Sequence, residues 1–598
     1  MIRFPAREIY VGNKPLGGRN PIRLQSMTNT DTRDVEATVA QTIRIFEAGA
    51  DYVRISVPNS ESASVLPSIR KKVSNARFDY PLIADIHFKP ELALIAARYF
   101  EAVRINPGNY TGMPSKNQIE WSESQYQSEL DEMRNNLKPL LKTCKEYGRA
   151  IRIGTNFGSL SKRVISRLGN TPEAMVVSTL EFLQAFESLG FTDTAISLKA
   201  SNPIITIKAY LLMVERMQQM GMAYPLHVGV TEAGEGEDGR IKSALGISTL
   251  LQMGIGDTIR VSLSEAPEEE IPVARKIAEP FQNLFTNTPR EGEVYRIPII
   301  NFNPPNPPPI PYNLKAVVLS DQEDASCDFV LLKNTKEFGN AEKDENCFTQ
   351  AKHKATGEIF PVFSVQALSN PSTIFDAQWN FLWIDFDNDL PKLETLKNVP
   401  GLILIFETKC NNLTNAIEQL REHLFRLELN PVLVVYQRLI HRSEEDVLLT
   451  AVEKTSLLLL QRKIHGLIFR APVIATPSLA GKMVFGLLQA TGIRITRNEY
   501  ISCPTCSRTS FDLVAISKKV KEITQHISGL KIAVMGCVVN GPGEMADADF
   551  GILGAGPGKV HLYKGLTPIK RNLTELQALD ALAKLIESQE SAHIPKNE

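Results

Sequence analysis

Over the first 285 residues, short β-branched runs ending in polar residues alternate with stretches of helical period. The runs lie at 21–28, 52–57, 81–87, 102–108, 150–156, 195–201, 225–231 and 258–264. Between them come amphipathic segments such as 34–48, where Val35, Val39, Ile43 and Phe46 share one face, and 90–99, with Leu92, Ile95 and Ala96. Eight strand-then-helix units in this length match an N-terminal (β/α)8 TIM barrel in an α/β protein, with a doubly wound sheet as the other arrangement that fits.

Seven prolines between Pro298 and Pro311 then interrupt the pattern. Such a stretch is neither helix nor central strand and reads as a stiff connector. Beyond it, runs at 315–320, 329–333, 360–365, 381–386, 402–407, 431–436 and 466–470 alternate with helical stretches at 412–427 and 444–461. This is an inserted second α/β, barrel-like unit. Its strand ends lack the recurrent Arg, Lys and Asn of the first unit, so its expected role is structural. The helix at 478–491 could close either unit. From about 492 the texture becomes that of a small α+β domain, with a strand at 531–535, a glycine-dense segment at 551–558 and a final helix at 573–588. The expected domains are 1–286, 287–491 and 492–598.

Composition narrows the function classes. The chain has 598 residues, 43% hydrophobic and 22% charged, and a net charge of −1. That balance excludes a whole-chain polyanion binder, so no nucleic-acid partner is expected. No apolar run approaches a spanning helix, and the N-terminal 18 residues lack a secretory core, so a cytoplasmic chain with reduced thiols and no membrane contact is expected.

Strand C-termini of a parallel barrel converge on one mouth. Here they carry Arg54, Asp85, His87, Arg104, Asn106, Arg152, Asn156, Lys199, His227, Glu232, Arg260 and Ser262. Five cations at one mouth are costly to hold together without an anion, and arginine forks suit phosphate oxygens. A small phosphorylated or diphosphorylated substrate follows, against the plainer reading that each Arg pairs with a helix carboxylate. Glu232, set among cations, is expected to stay ionised and to hold a substrate hydroxyl or relay a proton, or else to form an ordinary salt bridge.

Three of the seven cysteines lie close together in sequence: Cys503 and Cys506, spaced Cys-x-x-Cys, and Cys537. Three thiolates with one open position suit a [4Fe–4S] cluster; zinc and free thiols are the other readings. Glu544, on a glycine-rich segment, could supply a fourth bond or be a loop carboxylate. Two phosphate-loop lookalikes fail. The segment from Gly234 to Gly239 fits G-x-G-x-x-G but carries Glu235, Glu237 and Asp238, and reads as a mobile loop; the segment from Gly554 to Lys559 misses the Walker spacing. Lys518, Lys519 and Lys521 read as a solvated helix face, or as a docking face for an acidic electron donor.

The motifs Cys503-Pro-Thr-Cys-Ser-Arg-Thr509, Met535-Gly-Cys-Val-Val-Asn-Gly-Pro-Gly-Glu544 and Ala548-Asp-Phe-Gly551 resemble the cluster motifs of the 4-hydroxy-3-methylbut-2-enyl diphosphate synthase family. So do Gln25-Ser-Met-Thr-Asn-Thr30, Ala84-Asp-Ile-His87, Arg104-Ile-Asn-Pro-Gly-Asn109 and Gly229-Val-Thr-Glu-Ala-Gly234. The resemblance covers about 1–285 and 478–598, and the middle unit resembles the insert of the family's long form. It implies an iron–sulfur oxidoreductase of isoprenoid biosynthesis that reductively opens 2-C-methyl-D-erythritol 2,4-cyclodiphosphate, fed single electrons by ferredoxin or flavodoxin. It further implies cluster ligation by Cys503, Cys506, Cys537 and Glu544. The cyclodiphosphate would be held by Arg54, Arg104, Arg152, Asn156, Lys199, Ser262 and, less securely matched, Arg260, with Glu232 as the acid/base carboxylate. In short family members a neighbouring subunit supplies the cluster domain, so a homodimer is among the assemblies implied. The reading of a different class is a zinc-stabilised barrel handling a phosphorylated metabolite without redox chemistry. Cys144, Cys327, Cys347 and Cys410 are expected to be bystanders.

Overall fold

The structure, a computed structural model, describes residues 2–593 except 77, 87–88, 111–120, 287–294, 299, 301, 303–307, 322–325, 333–347, 371–372, 411, 474–476, 504–508, 510, 538–540 and 546. It contains two compact units, one made of 1–298 together with 497–598 and the other of 299–496.

The first unit opens with an antiparallel hairpin, β1 (Ile9–Val11) and β2 (Lys14–Leu16). Eight strands follow: β3 (Arg23–Met27), β4 (Tyr52–Val57), β5 (Leu82–Ile86), β6 (Ala102–Ile105), β7 (Ala150–Asn156), β8 (Thr194–Lys199), β9 (His227–Val228) and β10 (Thr258–Ile259). They form one parallel sheet in the order β8-β7-β6-β5-β4-β3-β10-β9, and a parallel bridge from Ile196 to Leu226 brings its two ends together. This is the expected barrel. β9 and β10 are shorter than their apolar runs, because 229–234 and 261–264 leave the ladder to shape the site. The helices begin where local chemistry dictates: Val35–Glu47 is capped by Asp34, whose side chain accepts from the Ala37 N–H.

One end of this barrel is closed by apolar packing. Ile9, Val11 and Leu16 of the hairpin cluster with Tyr52, Ile83, Ala102, Ala150 and Ala195, which sit at or next to the starts of their strands. Alanine there lets the hairpin approach, and the opposite end is left for chemistry.

The remainder of the first unit is a five-stranded sheet, β19 (Glu499–Ser502), β20 (Lys531–Met535), β21 (Phe550–Gly556), β22 (Lys559–Lys564) and β23 (Thr567–Leu573). The first three strands are parallel and the last two antiparallel. Helices Leu513–Thr524 and Glu575–His593 contribute Ile516, Val520, Leu582 and Ile586 to the core they share with Val534, Ile552 and Leu562.

The second unit is also a barrel. Its strands are β11 (Val317–Ser320), β12 (Phe329–Leu332), β13 (Gln350–His353), β14 (Ile359–Ser364), β15 (Asn380–Asp385), β16 (Leu402–Glu407), β17 (Val432–Arg438) and β18 (Gly466–Arg470), and they close completely. Seven match the sequence runs. The eighth, β13, is four residues with two exposed polar positions, too short and too polar to stand out, and it runs antiparallel to both neighbours. Helix Pro477–Ala490 belongs to this unit. No helix among the described residues is long and apolar enough to cross a membrane.

Candidate active site

At the open end of the first barrel a cavity of about 950 Å³, counted out to its mouth, is walled on one side by barrel strand ends and on the other by the C-terminal sheet. From the barrel come Arg54, Arg104, Asn156, Lys199, Glu232, Arg260 and Ser262; from the sheet domain come Cys503, Gly536, Cys537, Gly541 and Glu544. Residues far apart in sequence meet because parallel strands deliver their C-termini to one end. His87 and Cys506 lie outside the described residues.

The cations are held by a few carboxylates. Asp85, at the end of β5, lies 3.1 Å from Arg104 Nη1 and 3.7 Å from Arg54 Nε. Arg104 also donates to the Gly154 carbonyl at 2.6 Å. A Cβ on Gly154 would sit 2.2 Å from Arg104 Nε, so that glycine makes room for the guanidinium. Arg260 is gripped at 3.2 Å by both oxygens of Glu270, which also accepts from Ser26 Oγ at 2.6 Å. Glu270 was not singled out from the sequence. It lies in a run of acidic residues at a helix start, and only the barrel's closure brings it under Arg260.

Arg152 departs from expectation in one respect: it does not line the cavity wall. It is buried beside Arg54 and Arg104, donates to Gln25 Oε1 at 2.6 Å, and among the described residues finds no hydrogen-bond partner for Nε and Nη2. Burial and the neighbouring cations push its pKa well down, and the same causes act on Lys199 and His227. Buried charge without a partner is costly. Among the described residues, Asp85 and Glu270 are the carboxylates that pair with the cations of the mouth, and the guanidinium N–H groups left without a partner are ones that a phosphate would satisfy.

Glu232 follows the short strand β9 with φ of 48°, a left-handed backbone that a non-glycine residue holds only where the surroundings impose it. Burial pushes its pKa up, while the Thr231 hydroxyl, the Glu544 carboxyl and, as expected, the cations Arg260 and Lys199 pull it down. Glu544, which ends the short helix Gly541–Glu544, is pushed well above the carboxylate range by burial and by the nearby Glu232 carboxyl. Among the described residues neither Glu544 oxygen has a well-formed hydrogen bond, the Glu232 carboxyl and the Gly158 backbone being its nearest polar neighbours.

Those oxygens share a cavity with Cys503 and Cys537, and Cys503 Sγ accepts the Gly536 N–H at 3.2 Å. Two thiols and a buried carboxylate with no well-formed hydrogen bond among the described residues, with a backbone N–H reaching a sulfur, fit an iron–sulfur cluster. The described residues alone contain no trio of metal-ligating side chains, and the third expected thiol is Cys506.

The acidic segment at 234–239 is not a loose loop. It opens helix Gly236–Gln252 and docks the sheet domain onto the barrel. Lys521 pairs with Glu235 at 2.6 Å, Arg497 pairs with Asp238, and Lys242 pairs with Glu499 at 2.9 Å. Positions 235, 238 and 242 follow one helical face. The reading of Lys521 as a solvated lysine is therefore corrected, while Lys518 and Lys519 are exposed as expected. A parallel bridge from Ala233 to Ser502 and a 3.3 Å contact between the Ser264 and Ser502 hydroxyls complete the junction.

Comparison with known proteins agrees with this arrangement. Residues 6–275 match the model of the GcpE TIM-barrel domain, and 499–588 that of the GcpE protein C-terminal domain. Across nearly the whole chain, 39% of residues are identical to the 4-hydroxy-3-methylbut-2-en-1-yl diphosphate synthase (flavodoxin) of Phocaeicola vulgatus, with 98% of each chain covered. The chain belongs to the GcpE family. The same-named enzyme of Bacteroides fragilis is 40% identical over 98% of this chain and 96% of its own. The chloroplastic, ferredoxin-type GcpE relative of Oryza sativa is 37% identical over 98% of this chain and 87% of its own. These matches run through the second barrel, so this GcpE chain shares its insert with long relatives.

Proposed function

We propose that this chain is a 4-hydroxy-3-methylbut-2-enyl diphosphate synthase. It converts 2-C-methyl-D-erythritol 2,4-cyclodiphosphate to 4-hydroxy-3-methylbut-2-enyl diphosphate in isoprenoid biosynthesis. The reaction opens the ring and removes the C3 oxygen as water, consuming two electrons. One observation carries the reading: a cavity with a cationic, phosphate-suited wall on one side and thiols with a buried carboxylate on the other.

In this reading 1–286 binds substrate, 287–491 is structural and 492–598 carries the cofactor. Arg54, Arg104, Lys199 and Arg260 neutralise the diphosphate, with Asn156 and Ser262 donating hydrogen bonds. Arg152 supplies charge and two unused N–H groups from beneath. Glu232, whose pKa burial raises against the pull of Arg260 and Lys199, relays a proton to the departing C3 oxygen. Cys503, Cys506, Cys537 and Glu544 would hold a [4Fe–4S] cluster, which when bound supplies electrons one at a time. Ferredoxin or flavodoxin, the donors named for the relatives, would provide them.

The test is direct. Protein purified anaerobically and loaded with iron and sulfide should be brown, and with dithionite or a reduced donor should convert the cyclodiphosphate to product detected by mass spectrometry. A colourless zinc-loaded protein, or a brown one without product, overturns the reading.

A further inference from the structure

Two glycines meet across the junction between barrel and sheet domain. Gly158 lies in the turn Phe157–Ser159 that follows β7, and Gly543 in the helix Gly541–Glu544. A Cβ on Gly543 would fall 1.4 Å from the Gly158 carbonyl oxygen; one on Gly158 would fall 2.2 Å from the Glu544 backbone nitrogen and 2.4 Å from the Gly543 carbonyl carbon. Real side chains do not approach backbone that closely. Neither glycine has a left-handed backbone, so neither is required by its own conformation. The three nearest atoms to each added Cβ all come from the other domain. The contact across the junction therefore accounts for glycine at these two places.

Nor can the neighbours yield. On the barrel side, Asn106 Nδ2 donates to Ser159 Oγ at 2.7 Å, and a Cβ on Gly108 would lie 1.6 Å from the Ser159 carbonyl, so the turn is seated against the end of β6. On the sheet side, Met545 is fully buried with Met535 and Leu553, and Gly541 packs against Leu553. Two backbones anchored in packed cores cannot absorb an extra methyl by sliding. The residue that follows Gly543 is Glu544, buried on the cavity wall.

We infer that Gly158 and Gly543 form a side-chain-free contact that sets how closely the sheet domain seats on its own chain's barrel, and so positions Glu544 opposite Glu232 and the cationic mouth. They are positioning residues: neither touches the reacting atoms. The assignment of Glu544 to the cluster and the turnover readout rest on the function proposed above; the contact itself does not.

The experiment uses full-length holoprotein with Gly158→Ala, Gly543→Ala and both together. Because each added methyl meets backbone that cannot yield, thermal midpoints should fall in each single variant and no further in the double. Visible absorption of the loaded protein and cyclodiphosphate affinity should stay at wild-type values. Hydrogen exchange should quicken in both 155–160 and 541–545 in each single variant, the unmutated partner included. Turnover should fall about 100-fold, as expected for a small misplacement remote from the chemistry. The double variant should be no worse than either single one, since one added methyl already opens the contact. Wild-type exchange in the unmutated partner segment, or losses that multiply in the double variant, would overturn the inference. If a variant fails to fold alone, exchange in the other variant and in wild type, where both segments must be protected, still decides. Loss of the proposed reaction in wild type would leave the exchange and thermal results standing, so the two failures are distinguishable.

Discussion

The two barrels of this chain spend their interiors differently. At the open end of the first, Arg104, Arg152, Lys199, His227 and Arg260 are all nearly inaccessible, with Asp85 and Glu270 as ion-pair partners and several N–H groups unpartnered among the described residues. The second is filled by Phe329, Phe348, Phe360, Phe381, Ile403, Ile405, Val434 and Ile468, with Phe329 and Phe381 rings 5.2 Å apart. Polar groups at its strand ends pair with one another: Trp383 Nε1 donates to Glu407 at 2.9 Å, and Arg470 lies 3.3 Å from Asp321. Both barrels are parallel at their core, so fold alone does not confer function. Buried charge that the protein leaves uncompensated marks the site, and a satisfied apolar interior marks the scaffold.

The sharpest way to break this contrast is at Glu232. Glu232→Gln should slow turnover by roughly 10² to 10⁴-fold, the span of general acid–base catalysis, while the cyclodiphosphate still binds; isothermal calorimetry beside steady-state kinetics separates the two. Unchanged turnover would remove Glu232 from the proposed chemistry. In the scaffold the expected effects fall on stability instead. Phe381→Ala should cost about 3–5 kcal/mol in chemical denaturation, leaving diphosphate affinity untouched.

His465 tests the same division through pH. Its Nδ1 accepts the Leu433 N–H at 3.0 Å, and burial holds its pKa at about 4, below the ordinary histidine value. A folded-state value below the unfolded one favours the neutral ring, so its contribution is complete above about pH 6.5 and is lost as the pH falls towards 4, by roughly 3 kcal/mol. Denaturation of the second unit across that range should show this slope, and His465→Asn should flatten it. The smallest expected effect returns to the first barrel. Arg152→Met should weaken cyclodiphosphate binding by about 10- to 100-fold, the worth of one or two charged hydrogen bonds. It should leave the thermal midpoint unchanged or raise it, because the guanidinium is uncompensated without ligand. A clear fall in midpoint would make Arg152 structural.

Much of this was legible in the chain alone, for identifiable reasons. Strand β20 at Lys531–Met535 and the helix capped by Asp34 are local events of periodicity and capping. The cationic set at the mouth was legible because a parallel barrel gathers strand ends by rule. Glu270 was not, since an acidic residue at a helix start has many partners available. The acidic turn at 234–239 misled for the same reason: Lys521 lies 286 positions from Glu235, and only docking shows that they meet. For Glu232 the sequence shows the charged neighbours but not the water removed from around it, so the upward push of burial on its pKa was not legible.

What the sequence determined by itself is therefore the inventory: two runs of strand-and-helix units, a proline-rich break, three clustered cysteines and a glycine-flanked carboxylate. The tertiary structure decided which of these share a space. It placed Glu544 against Glu232, gave Arg104 the room left by Gly154, and set Gly158 against Gly543, because burial and close approach depend on distances that no local pattern encodes.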